Sequence, residues 1–408
     1  MKKNSNNLEK LNEKVIKFFR KINIMKLLNK NFFTKKQIVP FVVGGLIRDV
    51  VLNKKNDKID IDIVLLLKSY DPECYKKCIK CFCKECQYKI VELDNKNLVY
   101  RAVVNTKIYI DFTYTFDLQR DFFRRDYTIN SLYFDIYKEK LIDLNGCIDD
   151  ILNKKLKTVN FDNLIIDPIR MIRGIRIKNE FGLTFDPQTE IFIKNNFFCI
   201  SGTNPVRMRQ EITKIFNLYK SHLAIKDLIE MGFFDIYNIK ISNPEELIEI
   251  VKVFDLSYFI YSEILKNEYD FVIREKSYYL FLLLSTYIIK NSRDISNWGF
   301  NIIFGDNIIK KSKQILFNWN KRQDPKFIIN IFKHKNSNQT FEFIFINLLL
   351  NIFKVDKDEY VSTLETLFKV CNYICENKES IIPFDKYIQL FNVENYDKYV
   401  EYVISTLV

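Results

Sequence analysis

The chain has 408 residues, 48% of them hydrophobic, with only 9 Gly and 8 Pro, which excludes a disordered or collagen-like polymer and allows roughly two to four compact units. Its net charge of +12 favours a polyanionic partner through counterion release. The charge is uneven: in residues 1–36 eleven Lys or Arg stand against Glu9 and Glu13, a net +9 that leaves about +3 on the other 372.

That basic segment repeats apolar residues at Leu8, Leu11, Val15, Phe18, Phe19 and Ile22, a helical stripe with a basic opposite face. Such a stripe is expected to pack as a first helix beneath the next domain. An RNA-contacting arm and an organelle-targeting peptide are the alternatives, and the second is opposed by a single Arg20 and two acids. Next, Phe41-Val-Val-Gly-Gly-Leu-Ile-Arg-Asp49 reads as a buried strand, a Gly44-Gly45 turn and a helix start. Glycines there let backbone N–H groups approach an anion, with Arg48 expected on the same phosphate-facing side. Lys58-Ile-Asp-Ile-Asp-Ile-Val64, whose Asp60 follows Gly45 by fifteen residues, alternates as a strand, sending Ile59, Ile61 and Ile63 to a core and both Asp60 and Asp62 the other way. Their Cα atoms are then roughly 6 to 7 Å apart, a spacing at which like charges repel unless cations bridge them. Hard carboxylate oxygens suit Mg²⁺, which is completed by waters and substrate phosphates.

A helix is expected over Asp71 to Gln87, with strands at Val39 to Val43, Ile59 to Leu66, Tyr88 to Leu93, Val99 to Val104, Lys107 to Tyr114 and Leu132 to Asp135. The 71–87 helix carries Cys74, Cys78, Cys81, Cys83 and Cys86, five of nine cysteines in a chain without an export signal. Tetrahedral zinc sites draw ligand pairs from two places in a chain, so no stoichiometric zinc is expected, and Cys74, Cys78 and Cys81 are read as a buried helical face. Reduced thiols and the lack of a signal point to the cytoplasm, with organellar import as the alternative. A further helix runs from Asp117 to Arg125, and beyond Asp167 periodicity is helical, broken at Asp186-Pro187, Asn204-Pro205, Asn243-Pro244 and Pro383. The longest apolar runs, Tyr278 to Ile289 and Phe341 to Phe353, are too short for a bilayer, so no membrane partner is expected.

Five motifs in fixed order carry a family resemblance: the Gly44-Gly45-x-x-Arg48-Asp49 turn with its Asp60/Asp62 strand, Arg124-Arg-Asp-Tyr-Thr-Ile-Asn130, Asp143-Leu-Asn-Gly-Cys-Ile-Asp-Asp-Ile151, Asp167-Pro-Ile-Arg-Met-Ile-Arg-Gly-Ile-Arg176 and Arg207-Met-Arg-Gln-Glu211. The chain resembles the class II tRNA nucleotidyltransferases, the CCA-adding enzymes, together with the bacterial-type poly(A) polymerases. The resemblance implies an α+β protein: a nucleotidyltransferase head at 37–158 after the 1–36 helix, a helical neck at 159–220 and an all-α body and tail at 221–408 that binds tRNA. It implies ribose and phosphate contacts from Arg124, Arg125 and Asp126, with Asn130 pinning their turn. The chain departs from the pattern at Ile166 and Val206, where relatives carry Glu, and has only Thr115-Phe-Asp-Leu-Gln119 where most carry a flexible loop.

The implied chemistry is two-metal nucleotidyl transfer, with Mg²⁺ on Asp60 and Asp62 and Asp111 as a third acid or a solvated strand residue. Cytosine and adenine each show an amino donor beside a ring-nitrogen acceptor. Asp167 and Arg170, three apart on one helix face, complement that pair, and Arg173 and Arg176 continue the face toward phosphates. The expected activity is addition of CCA to a tRNA 3′ end from CTP and ATP. CC addition, poly(A) synthesis and a non-catalytic RNA-binding role are the alternatives.

Overall fold

The computed structural model describes residues 2–68, 72–94, 98–268, 275–291 and 298–320. The expected helix over 341–353, the break at Pro383 and the tail lie outside the described residues. The chain divides into two compact units, 1–200 and 201–408.

The first unit begins with α1 (Lys2–Lys21), α2 (Ile24–Leu27) and α3 (Lys30–Lys35), then β1 (Val39–Val43), α4 (Gly45–Val51), β2 (Ile59–Leu66), α5 (Pro72–Glu85), β3 (Lys89–Asp94), β4 (Val99–Val103) and β5 (Ile108–Thr115). It continues with α6 (Leu118–Phe123), a 3₁₀ turn at Thr128–Asn130, β6 (Tyr133–Asp135), β7 (Lys140–Ile142), α7 (Cys147–Leu152), β8 (Lys155–Leu156), α8 (Asp162–Ile166), α9 (Ile169–Phe181), β9 (Thr184–Phe185) and α10 (Pro187–Asn196). Seven strands form one sheet in the order β3-β4-β5-β2-β1-β6-β7, and β8 pairs with β9 separately. Only β2 with β5 is parallel within the large sheet. That parallel register sets Asp62 beside Asp111 and Asp60 beside Tyr109 at the sheet's centre.

Alternation decides what each face does. Ile61, Ile63, Ile110 and Phe112 are buried on one face, against α3 and α5, where Phe82 lies 5.1 Å from Phe33 and 5.3 Å from Phe112. The acids of β2 and β5 therefore occupy the other face. On α5 the buried stripe is Tyr75, Cys78, Ile79, Phe82 and Cys83, while Cys74 and Cys81 are exposed. This corrects the expected cysteine face: the bulkier aromatic and aliphatic side chains set the helix rotation, and only the cysteines beside them go inward.

α1 packs on this unit rather than standing off it. Val15 and Phe19 are buried, Phe19 lies 4.9 Å from Phe134, and Lys14 Nζ donates to the Val51 carbonyl at 2.7 Å. Asn12 takes the place of a strand residue: its Oδ1 accepts from Leu141 N at 2.7 Å and its Nδ2 donates to the Glu139 carbonyl.

The second unit is helical: α11 (Pro205–Phe216), α12 (Ser221–Glu230), α13 (Phe233–Ile236), α14 (Pro244–Glu268), α15 (Lys276–Asn291), α16 (Trp298–Phe304) and α17 (Asp306–Asn320). The X-Pro breaks are helix starts. Pro205 opens α11, and Asn204 Oδ1 caps it by accepting from Val206 N at 2.9 Å. α15 is buried from Lys276 to Ile289 except at Tyr278, which is half-buried. Among the described residues no helix is long and apolar enough to cross a membrane.

Candidate active site

Gly44 joins β1 to α4 at φ +87°, and a Cβ there would fall 2.6 Å from Asp62 Oδ2, so only glycine lets the turn come this close to the acid. Asp62 is half-buried beneath it. Burial pushes its pKa up to about 6; Asp111 and Asp60 add to the rise, while Arg125 and Arg173 pull it back. Asp60 is exposed, two residues earlier on the same face. In the adjacent strand Asp111 meets a partner that the sequence reading overlooked: Arg101 Nε and Nη2 each donate to its carboxylate at 2.7 Å.

The Arg124–Asn130 segment is folded around a second overlooked residue. Asp121, buried within α6, accepts from Arg124 Nε at 2.7 Å, from Arg125 Nη2 at 2.6 Å and from the Tyr133 hydroxyl at 2.6 Å. Burial pushes its carboxyl up, but the two guanidiniums and the hydroxyl hold it below the ordinary range. Arg125 stays charged in return: burial opposes its charge, and Asp121 and Tyr133 outweigh that cost. Asp126 Oδ1 accepts from Asn130 Nδ2 at 3.0 Å and from Tyr127 N at 2.7 Å. Its buried Oδ2 accepts no hydrogen bond and faces Arg173 Nε at 3.3 Å.

α9 is bolted to this segment. Arg170 Nη1 donates to the Arg124 carbonyl at 2.8 Å, the Tyr127 hydroxyl donates to the Arg170 carbonyl at 2.8 Å, and Asn163 Nδ2 donates to the carbonyls of Phe123 and Arg125. Gly174 permits the approach, since a Cβ there would fall 2.0 Å from the Tyr127 oxygen. Arg170 Nε lies 3.5 Å from Asp167 Oδ2.

One cavity of about 280 Å³ gathers Gly44, Gly45, Asp62, Asp111, Arg124, Arg125, Asp126, Asn130, Asp167, Arg170 and Arg173, with Thr113 among its other walls. Three expected contributors do not line it: Asp60, which is exposed two residues before Asp62 on the same strand, Arg48 and Arg176. Arg48 is buried, bonded to Asp49 Oδ1 at 2.9 and 2.6 Å and to Asn130 Oδ1 at 2.6 Å, and lies over the Phe181 ring. It supports Asn130 from behind and does not line the phosphate face. Arg176 pairs with Glu180 on its own helix at 2.7 Å, and Glu180 in turn takes Lys54, three residues past α4. Both were legible as cations, but the direction of a helix side chain is set by packing.

Asp121 could have been found from its spacing three and four residues before Arg124 and Arg125. Arg101 could have been found from the hairpin register, which sets it opposite Asp111.

Residues 40–157 match the family described as Poly A polymerase head domain, and residues 182–238 match the one described as "Probable RNA and SrmB- binding site of polymerase A". Over these residues the chain is similar to this nucleotidyltransferase family. Among curated relatives, a CC-adding tRNA nucleotidyltransferase of Synechocystis is 28% identical over 38% of the chain and 36% of the relative. A CCA-adding enzyme of Lactobacillus delbrueckii subsp. bulgaricus is 27% identical over 47% of the chain and 50% of the relative. The matched part thus spans half or less of these relatives' length. The fold is also that of a Thermotoga maritima CCA-adding enzyme complexed with tRNA, with a TM-score of 0.65 at 19% identity over 95% of this chain and 90% of that one.

Proposed function

We propose that this chain is a template-independent, Mg²⁺-dependent nucleotidyltransferase that adds CCA to tRNA 3′ ends from CTP and ATP. The observation that carries the reading is the single cavity in which a glycine turn, an acid strand, the Arg124–Asp126 segment and the Asp167/Arg170 pair converge. The acid face suits a hard divalent cation: Asp60 and Asp62 project from one strand, and the missing Cβ of Gly44 leaves room at Asp62 Oδ2. Two carboxylates with the remaining positions left to water and phosphate match the usual Mg²⁺ arrangement. Among the described residues no group of three or more acids, cysteines or histidines is placed to hold a metal, in keeping with Asp111 being turned to Arg101.

When bound, Mg²⁺ supplies Lewis-acid stabilisation of the triphosphate and lowers the pKa of the primer hydroxyl. Asp62 must shed its proton to hold a cation, and Arg125 and Arg173 favour that ionised form. Arg124 and Arg173, the more exposed cations of the cavity, are placed for phosphate oxygens. Asp167 accepts from the amino group of cytosine or adenine while Arg170 donates to the adjacent ring nitrogen. Uracil and guanine reverse that polarity, which costs on the order of 1 to 3 kcal/mol for each buried group left facing a like partner.

CC addition is the second reading, favoured by the link between β5 and α6. It is two residues long, Phe116 and Asp117, and is locked: Thr115 Oγ1 donates to the Asp117 carbonyl at 2.8 Å and Asp117 Oδ1 caps α6 through Gln119 N. A loop that could act as a lever on the base-selecting pair is absent there. Incubating the chain with CTP, ATP and a tRNA ending at its discriminator base, then sequencing the 3′ ends, decides the matter. Full CCA ends are expected. Ends stopping at CC establish the second reading, and no extension defeats both.

A further inference from the structure

Three strands carry one row of charged side chains across the acid face. The parallel register sets Asp62 beside Asp111, and the antiparallel register sets Asp111 beside Arg101. The preceding row is Asp60, Tyr109 and Val103, and the Arg101 guanidinium lies 5.3 Å from the centre of the Tyr109 ring. Arg101 is therefore seated over the ring next to Asp60 while its two donors engage both oxygens of Asp111. It also lies in the field of Asp60 and Asp62, which reinforce its positive charge after the Asp111 bond itself.

We propose, building on the metal-site reading above, that Arg101 is a positioning residue that withholds Asp111 from the divalent-cation site and so sets the affinity of that site. A guanidinium fork across a carboxylate occupies the oxygens that a cation would need, and it is a fixed positive charge that no solvent exchange removes. Were Asp111 released, three acids would converge where two now act. Ligand charge count tunes divalent affinity, so the cation would be held more tightly and would leave more slowly with the pyrophosphate product. Arg101 keeps the third acid in the cavity wall as a charge without letting it become a ligand.

The test is a titration of the full chain with Mn²⁺ alone, free ion being followed by electron paramagnetic resonance, with no nucleotide or RNA present. Arg101→Met is expected to tighten Mn²⁺ binding roughly tenfold, the scale on which one adjacent opposite charge shifts a carboxylate equilibrium. The same substitution in an Asp111→Asn background is expected to give no gain over Asp111→Asn alone. Unchanged or weaker binding in Arg101→Met overturns the proposal by making Arg101 an ordinary strand-face ion pair. An equal gain in both backgrounds overturns it by making Arg101 a remote charge that does not act through Asp111. If circular dichroism shows that the methionine variant has lost its fold, Arg101→Gln carries the same expectations. Mn²⁺ binding that Asp62→Asn abolishes and Arg101→Met leaves unmoved rejects this proposal and keeps the metal site. Absence of binding in both the unsubstituted chain and Arg101→Met rejects both.

Discussion

Asp126 and Asp255 are both buried carboxylates, one in each unit, and their surroundings differ in a way that separates a candidate site from a structural one. Asp255 has both oxygens engaged. Its Oδ1 accepts from the Ser221 hydroxyl and from Lys276 Nζ at 2.5 Å, and its Oδ2 accepts from His222 N at 2.9 Å and His222 Nδ1 at 2.7 Å. Asp126 keeps one oxygen without a hydrogen bond, and nearby Asp62 holds its proton up to about pH 6. Asp255 is saturated by hydrogen bonds, whereas Asp126, on the wall of the candidate cavity, meets the exposed Arg173 guanidinium 3.3 Å from its second oxygen.

The largest effect that sharpens this contrast is expected from Asp62→Asn. It should cut nucleotide incorporation by roughly a thousandfold, the scale of removing one preorganised charge from a transfer site, with little change in tRNA binding. Labelled CTP incorporation and filter binding read the two; retention of a tenth of the rate breaks the assignment. Asp255→Ala should do the reverse. It leaves Lys276 buried without its counter-charge, which typically costs about 3–5 kcal/mol, while activity per folded molecule is retained. Urea denaturation with an activity count on the folded fraction checks it, and a variant as stable as the original removes Asp255 from the core network. The smallest expected effect concerns pH. The folded pKa of Asp62, about 6, lies above its ordinary 3.8, so the stability from its protonated form is complete below about pH 4 and is lost as pH rises through 6. In metal-free protein, wild type should therefore lose stability relative to Asp62→Asn across that window, by no more than about 2 kcal/mol given partial exposure. A parallel course for the two proteins shows that Asp62 is better solvated than its setting implies.

Much of the site was legible because its motifs rest on periodicities. Strand alternation put Asp60 and Asp62 on one face, but the helix face expected to join Asp167 to Arg170 is not there: Asp167 sits in the bend between α8 and α9, which Pro168 opens, and meets Arg170 from outside the helix. The strand boundaries at Val39–Val43 and Ile59–Leu66 came through unchanged. What the sequence could not convey was partner choice. Arg48 and Arg124 are both arginines in glycine- or acid-flanked motifs, yet Phe181 and Asn130 draw one inward while the other stays at the cavity. The β7 strand and the β8–β9 pair escaped notice because two or three residues are too few to show a period. The cysteine face was misjudged for a related reason: thiols tolerate either environment, so they follow the rotation that Tyr75, Ile79 and Phe82 impose.

The amide of Asn12 has a consequence for how the molecule behaves in company. β7 ends the sheet, and an end strand with open N–H and C=O groups is a template on which another chain can add. Asn12 fills part of that ladder with one side chain, bonding Leu141 N and the Glu139 carbonyl. The basic helix around it surrounds the rim with like charge. α1 is thus a guard against self-association, and a version of the chain lacking residues 2–21 would present an adhesive edge to its own copies.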